Sequence, residues 1–346
     1  MRCNSILLFG SLSVLLLATV VAATGMGYIA IPIRAVIQTI LANTFGIVPT
    51  GQEISQTFST IVMDVRLPRI LAAALVGGGL AIAGCVFQAI LLNPLADPYT
   101  LGISSGAAFG ASTAFMLAIL GLSLPITLSV PLFAFCGALA TLAAVFALSA
   151  GDAQLSSNTL ILSGVIVAAI LSAAIGFIKY MADEEVNVII FWLMGSFTGK
   201  SWHDVGLLLL ILFPGMLFCC YYARDLNIMA LGNVTANTLG VDTARLRKQL
   251  LVCASIITAT CVSVAGVIGF IGLIVPHMLR MIVGPDNRIL LPATFLAGGV
   301  LLLFADTLTR AVLPHEIPIG VLTALIGGPF FCYIFRRRQM GLHYGH

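Results

Sequence analysis

Two stretches of the chain begin with Ala-Gly and end with Pro: AGCVFQAILLNP at residues 83–94 and AGVIGFIGLIVP at residues 265–276. The same shift of 182 residues also superposes Leu91 on Leu273, Arg66 on Lys248 and Gly102 on Gly284. Gly and Pro that interrupt apolar segments at matching places are typical of transporters built from two related halves. The sequence therefore predicts one transmembrane domain over residues 1–346, with a first half at about 60–180 and a second at about 245–336.

The composition excludes a soluble globular protein. Of the 346 residues, 60% are hydrophobic and only 8% are charged, and the mean hydropathy is +1.11, so the chain cannot surround a core with a solvated surface. A helix that crosses a bilayer needs about 20 apolar residues. Candidate spans lie at 5–27, 69–92, 101–121, 125–149, 155–179, 204–222, 249–268, 289–312 and 318–335, with a shorter tenth at 270–283. We expect an all-α integral membrane protein of about ten transmembrane helices.

Two of these segments need comment. The first span could be a secretory signal, but the eight or nine spans that follow it favour retention as a transmembrane helix. The tenth segment contains Pro276 and follows Gly266, which predicts a helix that is broken or only partly crosses the membrane. Such backbone is tolerated where protein or a cavity shelters it. Pro94 marks the corresponding interruption in the first half.

Small residues predict how the spans pack. Gly102, Gly106 and Gly110 recur at every fourth position, and close backbone approach at such positions supplies contact energy between helices in lipid.

The distribution of Lys and Arg predicts the orientation. With a cytoplasmic N-terminus, ten basic residues lie inside and six outside, so both termini are expected in the cytoplasm. The segment that starts at Arg66 then runs inward and its copy from Lys248 runs outward. The repeat is therefore inverted, the arrangement expected for a transporter that works by alternating access.

Three basic residues are expected on the outer surface: Arg66 and Arg69, in the stretch RLPR, and Arg310. Arg66 and Arg69 are three residues apart and share one helical face. A single flexible Lys would suffice to anchor a helix at the interface, whereas paired guanidinium groups suit bidentate recognition of carboxylates. The pattern fits either docking of an acidic partner or interfacial anchoring.

The longest predicted cytoplasmic break in hydropathy is the segment 223–248. It could be a plain basic loop, but its middle contains apolar residues and glycines. These predict two short helices joined at a glycine, with an apolar face offered to a cytoplasmic partner. The residues on which this expectation rests are Ala230, Leu231, Ala236, Leu239 and Val241, with Gly232 and Gly240.

Sites of other kinds are not indicated. The cysteines and histidines lack metal-ligand spacing, and no set of nucleophile, base and acid is present, so neither catalytic residues nor a metal site is predicted. The stretch Gly199-Lys200-Ser201 lacks the first glycine of a phosphate-binding loop, because Met194 stands there. An ion-gradient-driven secondary transporter remains the alternative, although such coupling normally needs an ionisable residue deep in the membrane.

Four motifs, in this order, carry a family resemblance: RLPR at 66–69, NPLADP at 93–98 with Leu101-Gly102, GFIGLIVPH at 269–277, and IPIG at 317–320 with Gly327. Together they resemble the FecCD-type permease subunits of type II ABC importers, over nearly the whole chain.

This resemblance implies a homodimeric permease in the bacterial inner membrane, driven by two cytoplasmic ATPase subunits that hold the ATP and Mg²⁺. It also implies a periplasmic binding protein that delivers an iron chelate, with a ferric siderophore ahead of haem or cobalamin. Arg66, Arg69 and Arg310 match the family's pocket for acidic residues of the binding protein, and 236–241 matches its ATPase-coupling loop. The chain itself is expected to bind no cofactor and no nucleic acid.

Overall fold

The computed structural model describes residues 5–27, 31–45, 56–122, 125–152, 154–311 and 316–343, and these residues form helices and connecting turns without a β-strand. The α-helices are α1 (Ser5–Gly25), α2 (Ile33–Phe45), α3 (Gln56–Thr60), α4 (Leu67–Ile90), α5 (Ile103–Ile119), α6 (Ile126–Leu148), α7 (Ser157–Met181), α8 (Val186–Leu193), α9 (Trp202–Tyr221), α10 (Ala223–Met229), α11 (Asn233–Thr238), α12 (Thr243–Ala265), α13 (Ile271–Val283), α14 (Asn287–Ala311) and α15 (Ile319–His343). A π-helical turn, Ile61–Arg66, joins α3 to α4. The extreme termini, 1–4 and 344–346, whose cytoplasmic location was predicted, lie outside the described residues.

The predicted membrane spans are confirmed. In the described chain, seven helical segments are long and apolar enough to cross a bilayer, and three shorter apolar helices, Ile103–Ile119, Ile271–Val283 and Ile319–Tyr333, occupy the remaining predicted spans. The helix α2 was not predicted. It is too short to span, and Ile31 and Val36 form a small separate core with Val62 and Leu67.

Two helices occupy the centre of the bundle. In the most apolar part of each spanning segment, the share of buried residues differs widely. It is 83% for Gln56–Ile90, which ends with α4, and 72% for α12. It is only 6% for α1 and 22% for both α7 and α9. Since α4 and α12 also pack on each other, they form the protein-facing centre, and α1, α7 and α9 present most of their surface outward.

The contacts between the first and the second half of the chain are reciprocal. α13 and α14 of the second half pack on α4 of the first, while α5 and α6 of the first half pack on α12 of the second. Exchanging α4, α5 and α6 with α12, α13 and α14 maps one pattern onto the other. The helix order therefore fits two related halves, α4–α7 and α12–α15.

The residue register predicted for this repeat is wrong. Gly84 lies within α4, which continues to Ile90, whereas Gly266 lies just beyond the end of α12. A better equivalence joins the two residues that precede the short helices. Gly102 before α5 has φ 74° and Phe270 before α13 has φ 67°, so both short helices start from a left-handed residue.

The predicted short tenth helix is confirmed, with a correction about its proline. α13 has 13 residues, about 20 Å of helix, which is shorter than a hydrocarbon core of about 30 Å. Pro276 does not break it, because the helix continues to Val283. The break precedes α13, where Gly266 ends α12 with φ +75° and its Cα faces the Trp192 carbonyl, leaving no room for a side chain. Pro94 lies in the turn between α4 and α5.

Glycines set the closest helix crossings. A Cβ on Gly106 would meet Gly137 and Thr141 of α6, and one on Gly110 would meet the Phe133 carbonyl of the same helix. Of the predicted small-residue row, Gly106 and Gly110 pack α5 on α6, whereas Gly102 precedes α5 and faces Gly164 of α7. Equivalent crossings place Gly77 of α4 on Gly298 of α14 and Gly84 of α4 on Gly272 of α13, so neither position of α4 has room for a side chain.

Candidate functional sites

The arginine cluster comprises the side chains of Arg66, Arg69 and Arg310 together with Asp306 and Glu316. It lies where α1 ends, α4 begins, α14 ends and α15 begins. The structure thus brings the three predicted arginines together from segments far apart in the sequence.

Two of the arginines hold the end of α1. Arg66 is 6% exposed, and its Nη1 donates to the Thr24 carbonyl at 2.7 Å. Arg310 donates from Nη2 to the Ala23 carbonyl and from Nη1 to the Met26 carbonyl, both at 2.8 Å. The last carbonyls of a helix lack intrahelical donors and carry its partial negative charge. Both guanidinium groups therefore stabilise the C-terminus of α1 while keeping their formal charge.

A glycine makes room for this arrangement. Gly27 has φ +155°, and a Cβ there would lie 2.9 Å from Nη2 of Arg66 and 3.1 Å from Nη1 of Arg310. Any larger residue would push the two guanidinium groups away from the end of α1.

Arg69 takes part in ion pairs instead. Its Nη2 lies 2.9 Å from Oδ1 of Asp306, with side-chain exposures of 12% and 2%, and its Nε also donates to this carboxylate. Its Nη1 lies 3.2 Å from Oε2 of Glu316, whose side chain is 49% exposed. Arg69 thus joins a buried acid on α14 to an exposed acid just before α15.

The local backbone explains why Arg66 and Arg69 diverge. The π-helical turn Ile61–Arg66 closes with an N–H of Leu67 bonded to the Val62 carbonyl, and Pro68 has no N–H to donate. A π-turn inserts a residue into the helical register, a feature often found at functional sites. Arg66 consequently reaches α1, whereas Arg69 reaches α14.

A cavity of about 180 Å³, with a mixed polar and apolar lining, opens beside Arg69. Asp306 and Glu316 line it together with Ser196 and Thr198 of the segment between α8 and α9. The Thr198 hydroxyl donates to Oε2 of Glu316 at 3.2 Å. The cavity therefore presents the exposed end of Arg69 next to groups that already bind a carboxylate.

The loop platform lies at the other end of the same helices and comprises residues 222–242, 149–152, 154–156 and 284–287. α14 starts on the platform at Asn287 and ends in the arginine cluster, which places the two regions about 35 Å apart at 1.5 Å per helical residue.

One buried arginine clamps the platform. Arg247 near the start of α12 is 2% exposed, and its Nη1 donates to the carbonyls of Gln154 at 2.6 Å and Leu155 at 2.9 Å. Its Nη2 donates to Oδ1 of Asn233 at 3.2 Å. α11, α12 and the turn between α6 and α7 are therefore held by one guanidinium group.

A second polar contact joins α10 to the turn before α14. The Asn227 amide donates to Oδ1 of Asp286 at 2.7 Å and accepts from the backbone N–H of Asn287 at 2.9 Å. The Arg288 side chain hydrogen-bonds Asp286 and holds the pKa of that carboxyl below its usual range. The turn is thereby fixed to the platform.

The predicted pair of short helices is present, joined at Gly232 (φ 98°), and Gly240 (φ +87°) turns the chain from α11 into α12. Leu239 is exposed, and so are Leu231 and Val234. Ala236 is buried, so it supports α11 from within and cannot itself touch a partner. Val241 is partly buried. The apolar surface that is offered outward therefore consists of Leu231, Val234 and Leu239.

Asp97, in the turn between α4 and α5, is a buried acid on its own loop. Burial raises the pKa of Asp97 to about 6, although the backbone N–H groups of Thr100 and Tyr99 oppose the rise by bonding its carboxylate. Its carboxylate accepts these two N–H groups and so stabilises the turn of its own loop.

Several residues were missed by sequence reasoning. No sequence pattern indicated that Glu316 belongs to the arginine cluster, because its partner Arg69 is 247 positions away. The acceptors of Arg247 include the backbone carbonyls of Gln154 and Leu155 on another segment, which no local pattern marks. Asp306 pairs with Arg69. Among the described residues, no group of three or more His, Cys, Asp or Glu side chains could hold a metal ion.

Comparison with known proteins identifies the family. The FecCD transport family matches residues 15–337. The chain belongs to this family. It is 44% identical to the cobalamin import system permease protein BtuC of Halobacterium salinarum over 83% of this chain and 76% of that protein. It is 37% identical to the hemin transport system permease protein HmuU of Yersinia pestis over 96% of each.

A solved structure agrees with this membership. A transporter described as a metal-chelate type ABC transporter in an inward-facing conformation matches with a TM-score of 0.82 and 33% identity, covering 96% of this chain and 99% of that one. This FecCD-family chain is a multi-span membrane permease subunit of the ABC transporter type. It is not a catalytic subunit.

Proposed function

We propose that two copies of this permease form a transport path for a metal chelate, which an extracytoplasmic binding protein delivers at the arginine cluster. Two ATPase subunits, holding ATP and Mg²⁺, bind at the loop platform and drive the cycle. The proposal rests on one observation above all: a cationic cluster and an exposed apolar platform lie at opposite ends of the same helices.

The charge of the arginine cluster supports docking of an acidic partner. It contains three guanidinium groups and two carboxylates, Asp306 and Glu316, and Arg69 binds both carboxylates. The five side chains therefore sum to one positive charge. Complementary charge accelerates association and fixes the orientation of a complex.

The loop platform supports binding of a cytoplasmic partner. Leu231, Val234 and Leu239 expose apolar side chains on short helices that Arg247 and Asn227 fix to three other segments. A force applied to this surface would reach α12 through Arg247 and α14 through Asn287. Orientation follows the positive-inside prediction, which puts the platform in the cytoplasm.

A homodimer provides room for a large cargo. α7 exposes a row of small residues, Ala169, Ser172, Ala173 and Gly176, none of which is charged. Two such faces opposite each other would line a wide, uncharged conduit for a chelate whose charges are screened by its own ligand atoms.

For the cargo we propose an iron chelate, with a ferric siderophore ahead of haem or cobalamin. The relative at 44% identity is named for cobalamin import, and the Yersinia pestis relative at 37% identity is named for hemin transport. The binding protein performs most of the selection, so the permease surface alone does not distinguish these ligands.

The test is uptake into proteoliposomes that contain the permease, its ATPase and its binding protein. Iron-labelled siderophore, haem and cobalamin are offered in parallel, each with ATP, with ADP, or with a proton or sodium gradient and no nucleotide. We expect uptake of one chelate with ATP alone. Gradient-driven uptake without ATP would contradict the proposal and favour the secondary transporter.

A further inference from the structure

Glu316 binds the same guanidinium group, that of Arg69, that an acidic partner would need to bind. Arg69 has two ends: Nε and Nη2 face Asp306, which is 2% exposed, and Nη1 faces Glu316, which is 49% exposed. The buried acid is inaccessible to a partner, whereas the exposed one can be replaced by it. An incoming carboxylate must share or take the Nη1 position.

We propose that Glu316 is an internal competitor for the docking partner: it holds Nη1 of Arg69 in the undocked permease and is displaced when an acidic side chain enters the adjacent cavity. This inference rests on the proposed docking role of the arginine cluster. It adds an autoinhibitory acid and a link from docking to α15.

The cavity gives the competing carboxylate a place to enter. It has about 180 Å³ beside Arg69 and Glu316, and its wall includes the Thr198 hydroxyl, which donates to Glu316 at 3.2 Å. The same hydroxyl can donate to a partner's carboxylate after Glu316 leaves. Exchange therefore replaces one ion pair and one hydrogen bond with equivalents, at little net cost in contacts.

Charge gives the competition a direction. While Glu316 is bound, the five side chains of the cluster sum to one positive charge. When Glu316 swings into solvent, the remaining groups sum to two positive charges, which favours a partner that brings more than one carboxylate over a single acid. Glu316 thereby selects for a multiply acidic surface.

Glu316 also lies next to a backbone junction of three helices. The N–H groups of Ile319 and Gly320 at the start of α15 donate to the carbonyls of Gly195 at 3.2 Å and Met194 at 3.0 Å, beyond the end of α8. The Ser196 N–H donates to the carbonyl of Ala265 at the end of α12, at 2.8 Å. Release of Glu316 from Arg69 frees the short segment between Glu316 and α15, which leads into this junction.

The experiment measures binding to the nanodisc-reconstituted permease of a decaglutamate peptide, with decaglutamine as the uncharged control peptide, and of the import system's own binding protein. The variants are Glu316→Gln, Glu184→Gln and Arg69→Gln/Asp306→Asn. Glu184 is an exposed acid in the segment after α7, so its change removes the same charge without touching Arg69. The double variant removes the docking cation together with its buried counter-ion.

We expect Glu316→Gln to bind both acidic probes about three- to fivefold more tightly, the scale of an exposed ion pair, and Glu184→Gln to bind like the wild type. The gain should vanish at about 1 M salt, where screening acts within about 3 Å. Hydrogen exchange at Ile319 and Gly320 should rise when decaglutamate binds the wild type and should already be raised in Glu316→Gln.

Two other results separate the claims. If the double variant loses binding but Glu316→Gln binds no more tightly than Glu184→Gln, the competitor role is wrong and docking at the arginine cluster stands. If the double variant binds both probes like the wild type, or the wild type binds neither, docking at this cluster is wrong and the competitor role falls with it.

Discussion

The arginine cluster and the loop platform use the same side-chain chemistry in opposite ways. In the cluster, Arg69 and Asp306 form an ion pair that is 12% and 2% exposed. On the platform, Arg288 and Asp286 form one that is 57% and 31% exposed. A buried ion pair is costly to break from one side, because the remaining charge stays desolvated, whereas an exposed pair contributes little. The cluster is thus a rigid end whose charges hold helices together, and the platform is held mainly by Arg247 and Asn227.

Asp306→Asn should have the largest effect on stability. It leaves Arg69 mostly buried with only the half-exposed Glu316 as a partner, and we expect a loss of about 3 kcal/mol. Thermal unfolding of the detergent-solubilised permease measures it. The double variant Arg69→Gln/Asp306→Asn serves as the control and should recover most of the loss, because no unpaired charge remains. An equally destabilised double variant would show that packing, not the ion pair, is what matters there.

Arg247→Met should have the next largest effect, about 2–3 kcal/mol, since three acceptors on two other segments lose a charged donor. Methionine keeps much of the apolar volume of the side chain. Proteolysis between α6 and α7 and around α11 should increase with it, while the arginine cluster keeps its protection. Arg245→Met, which changes an exposed residue two positions away, is the matched control, and equal sensitivity of both variants would refute a specific clamp.

Asp97→Asn should change the pH dependence of stability. The pKa of Asp97 is raised from 3.8 to about 6 in the folded protein, so the folded state binds this proton more tightly than the unfolded state. The group's contribution is most favourable below about pH 4, declines as the pH rises to about 6, and is constant above that. The stability of the variant relative to the wild type should therefore rise by about 2 kcal/mol across this window. A difference that stays flat from pH 4 to 7 would contradict this.

Arg288→Ala should have the smallest effect on thermal unfolding, because the ion pair it breaks is exposed to solvent. The pKa of Asp286 should move back toward its usual range, which a carboxyl titration by NMR can follow. A loss as large as that of Asp306→Asn would remove the contrast between the two ends.

Sequence reasoning succeeded where the bilayer dictates the pattern. Long apolar runs predicted the spans, because lipid offers no partner for an unbonded backbone, and the glycines at 102, 106 and 110 predicted close packing. The predicted residue register of the repeat was wrong. It matched Gly84 with Gly266, but Gly84 lies inside α4 and Gly266 lies just after α12.

The candidate sites were predictable only in part. RLPR and Arg310 marked the cluster, but the pairing of Arg69 with Glu316 joins residues 247 positions apart, and no local pattern encodes it. The use of Arg66 to hold α1 depends on a π-turn and on Gly27. Ala236 was assigned to a partner contact by composition, whereas its burial depends on how α11 folds onto the bundle.

The most direct test of the account compares one variant at each end in the same reconstituted complex of permease, ATPase and binding protein. Arg69→Gln/Asp306→Asn removes the docking cation, and Gly240→Leu forces a side chain onto a left-handed turn residue at which the space around the Cβ is open. Binding-protein affinity, ATP hydrolysis and chelate uptake are measured on each complex. We predict that the first variant loses docking and keeps basal ATP hydrolysis, while the second keeps docking and loses uptake. Normal uptake by the Gly240→Leu complex, or normal docking by the Arg69→Gln/Asp306→Asn complex, would contradict the division of function between the two ends.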